Sequence, residues 1–256
     1  MAAIERLKNM KKITIFLLLA LFLFINVPSF AHDSSRFEFH GFSGDLEYCA
    51  FEVYGEAEYG EPCGPYSRIY IIDVDKNIYA MKPIILNSND YEADILDVRL
   101  NNFKKAYPFF KKYHINQNSK GTLLFYNPRN DGPIRPIIKA NDYTCSFAIE
   151  AETYTLKLIE RDPIPNNSAY EHEKEKLLEL QLINNQTKKV SILQKDTFLP
   201  EILKQTVKYR LLSAYYLYGK IAVFLEYEQL GYEGNNRRQM IVTGVIKTDH
   251  LIMQYD

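Results

Sequence analysis

"FSGDLEYCAFEVYG" at residues 42–55 and "GPYSRIYIIDVD" at 64–75 are two runs rich in Tyr, Ile, Val and Phe, joined by a loop of Gly, Pro and Glu. Runs of this composition bounded by turn residues read as a β-hairpin. The same texture recurs along the chain and predicts strands at 35–41, 46–54, 68–74, 78–86, 121–127, 134–140, 143–151, 153–161, 174–184, 187–195, 208–217, 219–229 and 237–247. Tyr154, Leu156 and Leu158 alternate with Thr153, Thr155 and Lys157, the period of a half-buried antiparallel strand. One segment breaks the pattern. Leu96, Leu100, Phe103, Tyr107 and Phe110 recur at helical spacing, Asn89 or Asp90 can cap the start, and acids lead while lysines trail. An amphipathic helix over about 90–114 is predicted, packed on sheet by that stripe and kinked or divided at Pro108. The fold class is therefore mainly β: antiparallel hairpins forming a sandwich or a partly open barrel or propeller-like sheets, with one helix against them. Thirteen strands make only about three four-stranded blades, too few for a closed propeller.

Lys8, Lys11 and Lys12 precede an apolar run from Ile13 to Val27, and "PSFA" sets Ser29 and Ala31 before a cleavable bond. That is the pattern of a secretory signal peptide, 1–31, with Met10 as an alternative start. The run falls short of the ~20 residues that span a bilayer. A single secreted domain at 32–256 with no transmembrane span is expected, secreted or periplasmic after cleavage near Ala31. Without the leader, 27 Lys and Arg face 31 Asp and Glu, so no nucleic-acid partner is implied. Cys49, Cys63 and Cys145 then occupy a compartment that permits disulfides. Cys49 and Cys63 flank one loop and are the candidate pair. Cys145 shares a strand face with Tyr143, Phe147 and Ile149 and reads as a buried, inert thiol.

Recognisable chemistry is sparse. "GFSGD" lacks the last Gly of a nucleophile elbow, "HEKEK" lacks the second His of a zinc helix, and "DVDKN" lacks the Gly and the closing Glu of a calcium loop and reads as a polar turn. No metal, cofactor or catalytic residue is assigned. The C-terminal stretch "GKIAVFLEYEQLGYEGNNRRQMIVTGVI" echoes the first hairpin: an apolar strand ending in Glu and Tyr, a Gly and Glu loop, then another strand. If the two hairpins are neighbours, Glu52, Tyr54, Glu58 and Tyr66 of the first and Tyr232, Glu233, Arg237 and Arg238 of the second form one binding surface.

Phe42, Ser43 and Asp45, then "AFEVYG", "GPYSRIYIID", "KKYHI", "GTLL", and finally "GYEG" with "RRQMIVTG", follow one another in an order that resembles a bacterial family of predicted secreted proteins, domain of unknown function 2259. Gly44 and Leu46 stand where that family commonly has Pro and Gly. The resemblance implies export and a shared fold, and it implies no reaction. The expected function is a non-catalytic binding or interaction protein of the cell envelope, its partner an unidentified envelope component or protein. The alternative is a hydrolase acting on envelope polysaccharide or peptide through loop carboxylates.

Overall fold

A computed structural model describes residues 35–57, 64–128, 141–163, 175–200, 203–231 and 235–246. The expected leader, the strand expected at 134–140, and Glu58, Cys63, Tyr232 and Glu233 lie outside these residues.

Three antiparallel sheets and one helix form four layers. Sheet I holds β1 (Arg36–Phe42), β2 (Tyr48–Ala57), β3 (Gly64–Asp73) and β4 (Ile78–Tyr79) in that order, with β5 (Ile84–Asn87) also on β3. Sheet II runs β13 (Asn235–Val245), β12 (Lys220–Leu230), β11 (Thr206–Leu217), β6 (Thr122–Tyr126). Sheet III runs β10 (Val190–Lys195), β9 (Leu177–Asn184), β8 (Glu152–Arg161), β7 (Thr144–Ile149). The sheets stack as a sandwich, with no closed barrel among the described residues.

The middle layer is sheet II, and alternation along β12 shows why. Ile221, Val223, Leu225 and Tyr227 join one core with Leu156, Leu158 and Leu180 of sheet III. Ala222 and Phe224 point the other way, into a second core with Phe39, Phe51 and Tyr70 of sheet I. A strand apolar on both faces has to be covered on both. The two hairpins that echo each other in sequence therefore meet, by stacking face to face rather than pairing edge to edge; the Phe51 and Phe224 rings lie 5.6 Å apart.

Sheet I carries the helix α1 (Ile95–Lys112) on its outer face, where Ala50, Ile69 and Ile71 pack against Ala106 and Phe110. Asp94, not Asn89 or Asp90, is the cap, accepting the Leu96 N–H at 2.8 Å. Pro108 does not divide the helix. The carbonyl it leaves without a partner belongs to Lys104 on the exposed side, where water serves. Of the expected stripe, Phe103 and Phe110 pack on the sheet, whereas Leu96, Leu100 and Tyr107 are 63%, 52% and 50% exposed; Val98, Asn102 and Ala106 are buried instead. Polar ties to sheet I, described below, rotate α1 away from its most apolar side.

The turn after β3 joins all three sheets. Asn77, in the left-handed region at φ 54, accepts the Thr243 N–H of sheet II at 2.8 Å and donates to Gln194 Oε1 of sheet III at 2.8 Å. Leu46 is also left-handed, at φ 63, at the position where the resembled family commonly has Gly, the residue that takes this conformation without strain.

The expected Cys49–Cys63 bridge is not formed: Cys49 is a free, fully buried thiol. Cys49 opposes Ile72, while Gly64, the neighbour of residue 63 in the chain, opposes Ala57 at the far end of the hairpin. The intervening strand spans about 26 Å at ~3.3 Å per residue, against the ~7 Å that a disulfide tolerates. Cys145 is buried with Phe147 and Ile149, while Tyr143 is partly exposed. Burial pushes the Cys145 thiol up to about 11.

Candidate functional site

The anticipated binding residues separate across sheet I. Strand alternation sends Glu52 and Tyr54 toward α1, while Tyr66 joins the core shared with sheet II.

On the helix side, register creates a conflict. Glu38 of β1 stands directly opposite Glu52 of β2 on the same face, and like charges in that position repel. Arg99 of α1 resolves it. Its Nε donates to Glu52 Oε1 at 3.1 Å, its Nη2 to Glu52 Oε2 at 2.7 Å, and the same Nη2 also reaches Glu38. The guanidinium lies 3.7 Å over the Tyr54 ring. Ser67 Oγ donates to Glu52 Oε1 at 2.8 Å, and Asn102 Nδ2 lies 2.8 Å from that Oγ and 3.0 Å from the Ile84 carbonyl. A β-bulge between Phe39 and Gly41 leaves His40 with no partner across the ladder and turns it to this face. Its Nε2 is 3.8 Å from Glu52 Oε2 and makes no hydrogen bond.

A shallow groove of about 420 Å³ lies over the cluster, with Lys120 and Gln117 on its rim. The carboxylates are nonetheless committed. Glu38 is held below its ordinary range although burial alone would raise it, because the Arg99 hydrogen bond and the His40, Arg99 and Lys120 charges outweigh burial. No described group of three or more His, Cys, Asp or Glu could hold a metal. The arrangement is a closed ionic network that fixes α1 to sheet I.

His40 gives the network a pH dependence. Burial lowers its pKa from 6.5 against the pull of Glu52 and Glu38, with Lys120 and Arg99 adding to the lowering. Below about pH 6.5 the unfolded chain takes up a proton that folded His40 refuses, so stability falls with pH at up to about 1.4 kcal/mol per unit for this one group. The urea midpoint should hold from pH 8 to 7 and decline by pH 5.5, and His40→Gln should flatten that decline. Equal slopes for the two proteins would remove His40 as the cause.

On the sheet II side the chemistry is different. Where β3, β4, β12, β13 and the segment after β10 meet lies a pocket of about 290 Å³. Phe51 and Tyr70 stack at 4.9 Å, and Tyr70 and Tyr79 at 5.5 Å, forming a ladder of rings from the core to the surface along one wall. Ile72, Tyr227, Met240 and Ile241 complete the apolar lining, and Asn77, Gln194, Asp196 and Gln239 supply polar atoms. Burial raises Tyr70, and raises Tyr79 to about 12. Next to the pocket, Arg68 lies 5.0 Å from the Tyr66 ring centroid and Arg238 5.9 Å, and Arg238 Nη1 donates to the Tyr66 hydroxyl at 2.9 Å. Arg237 bonds through its carbonyl to Ser35.

Of the expected residues, Tyr66 and Arg238 stand beside this pocket, whereas its lining includes Tyr70, Tyr79 and Tyr227, which the sequence reading did not single out. The alternation of Tyr66, Arg68, Tyr70 and Ile72 along β3 was the available signal. Glu38 and His40 alternate with Phe37 and Phe39 in the same way, but only the fold brings Arg99 to them.

No curated protein and no solved structure matches the chain. Among the described residues no helix is long and apolar enough to cross a membrane. A family model described as predicted secreted protein (DUF2259) matches residues 50–245, from within β2 to the last residue of β13 and so across all three sheets and the helix; the chain belongs to that family.

Proposed function

We propose that the protein is a non-catalytic binding protein of the bacterial cell envelope, periplasmic or secreted as one domain after loss of the leader, and that its site is the pocket at the three-sheet junction. The ladder of Phe51, Tyr70 and Tyr79 supports this reading, because a concave apolar wall with a few convergent polar groups is the usual form of a small-molecule site. At 290 Å³ it suits a ligand of about ten non-hydrogen atoms, taking ~30 Å³ for each. The hydrolase reading draws little support from the carboxylates that can be placed. Glu38 and Glu52 share one guanidinium, and Glu38 is held ionised rather than poised as an acid.

The test uses the smaller neutral fluorophore 1-naphthylamine. Saturable fluorescence enhancement is expected, with the affinity reduced about tenfold, ~1.4 kcal/mol, by Tyr79→Ala. Absence of saturable binding, or binding indifferent to Tyr79→Ala, argues against the pocket. Turnover of cell-wall fractions that disappears in Glu52→Gln would replace binding with hydrolysis.

A further inference from the structure

We propose that the ligand of this pocket is a small apolar carboxylate, its acyl or aromatic part against the tyrosine ladder and its carboxylate on Arg68. The inference rests on the binding reading above and adds the charge and orientation of what is bound. Four observations carry it.

Arg68 is the residue of β3 next in line to the pocket wall. Tyr66, Arg68, Tyr70 and Ile72 form one inward-facing row, in which neighbours stand about 7 Å apart, and the last two line the pocket. The Arg68 Nε–H is buried and has no acceptor, and among the described residues no carboxylate lies within 4 Å of its guanidinium. Three other described arginines, Arg99, Arg161 and Arg210, each have an Asp or Glu partner. A guanidinium edge takes a carboxylate side-on through two parallel hydrogen bonds.

The surroundings favour an anion. Arg238 comes from the facing sheet to the same Tyr66 ring, which places a second positive charge beside the first. Arg68 acts on the Tyr70 hydroxyl through its charge and a side-chain hydrogen bond, and the charges of Arg68 and Arg238 both reach Tyr227, so the wall of the pocket grades from apolar to cationic along these side chains. Asp196, the carboxylate that lines the pocket, accepts from Gln194 Nε2 and the Leu178 N–H and belongs to the sheet III wall. A bound anion is thereby directed away from Asp196 and toward β3.

Octanoate and its neutral counterpart octanamide, competing with 1-naphthylamine at low salt, separate this inference from the reading beneath it. Octanoate should displace the dye about tenfold more strongly than octanamide from the native protein. In Arg68→Met, which keeps the stem over Tyr66 and removes the charge, the ratio should fall to about one while octanamide is unaffected. Equal affinities in the native protein, or a preference that survives Arg68→Met, would overturn the carboxylate while leaving the pocket standing. Failure of the dye to bind at all sinks both. Should Arg68→Met not fold, salt decides on the native protein alone: octanoate affinity must weaken between 20 and 500 mM NaCl while octanamide affinity does not, and parallel behaviour refutes the proposal.

Discussion

Phe224→Ala is expected to destabilise the protein by about 4 kcal/mol, in the range for emptying a buried phenylalanine site. Phe224 is fully buried in the middle of sheet II and faces sheet I. Its ring centroid lies 4.4 Å from that of Phe37, 5.4 Å from Phe39, 5.6 Å from Phe51 and 5.9 Å from Tyr215. Four rings held by strand backbones cannot all move inward to fill the space, so the cavity term adds to the lost transfer energy. For a domain of this size the loss corresponds to a fall in Tm of roughly 10 °C. Phe224→Leu, which keeps most of the volume, should cost about 1.5 kcal/mol or less. Thermal and urea unfolding of the two variants check both figures; a fall of under about 3 °C for the alanine variant would mean that the two sheets do not close on this ring.

Arg99→Ala should cost about 3 kcal/mol, the lower end for breaking a buried ion pair by deleting one partner. The substitution leaves Glu52, only 3% exposed, with the Ser67 hydroxyl as its remaining donor, and leaves Glu38 opposite it with Lys120, 3.7 Å away, in place of the shared guanidinium. The magnitude comes from the stranded charge more than from the lost attraction. Replacing both partners by apolar residues, as Glu52→Leu with Arg99→Met, should therefore be milder than Arg99→Ala alone. Urea midpoints of the variants decide it. A double variant no more stable than Arg99→Ala would show that the carboxylate was not the source of the cost.

Most of the strands were legible because each alternates or is bounded by turn residues, and the helix because its charges run with its dipole. Its orientation was not. Leu96, Leu100 and Tyr107 of the apolar stripe on α1 are exposed while Phe103 and Phe110 face the sheet, and Arg99 and Asn102 set that rotation, because unpaired Glu52 and Ser67 beneath them would cost more than exposed leucine. Layer order was half visible. The unbroken apolar run Ile221–Leu225 marks a strand covered on both faces, but nothing local shows which sheets do the covering. The site divided for a related reason. Glu52 and Tyr66 sit on one hairpin and look like neighbours in sequence, and pleating puts them on opposite faces.

The middle slab of this protein is assembled chiefly from residues 206–245, which are made after the strands of both neighbouring sheets. Until that stretch has emerged, sheets I and III each have a greasy inner side and nothing to set against it. A nascent polypeptide halted before residue 206 is left with two adhesive surfaces, so closure of the layers waits for residues 206–245. The three layers can close only once the β12–β13 hairpin lies between the two sheets made before it.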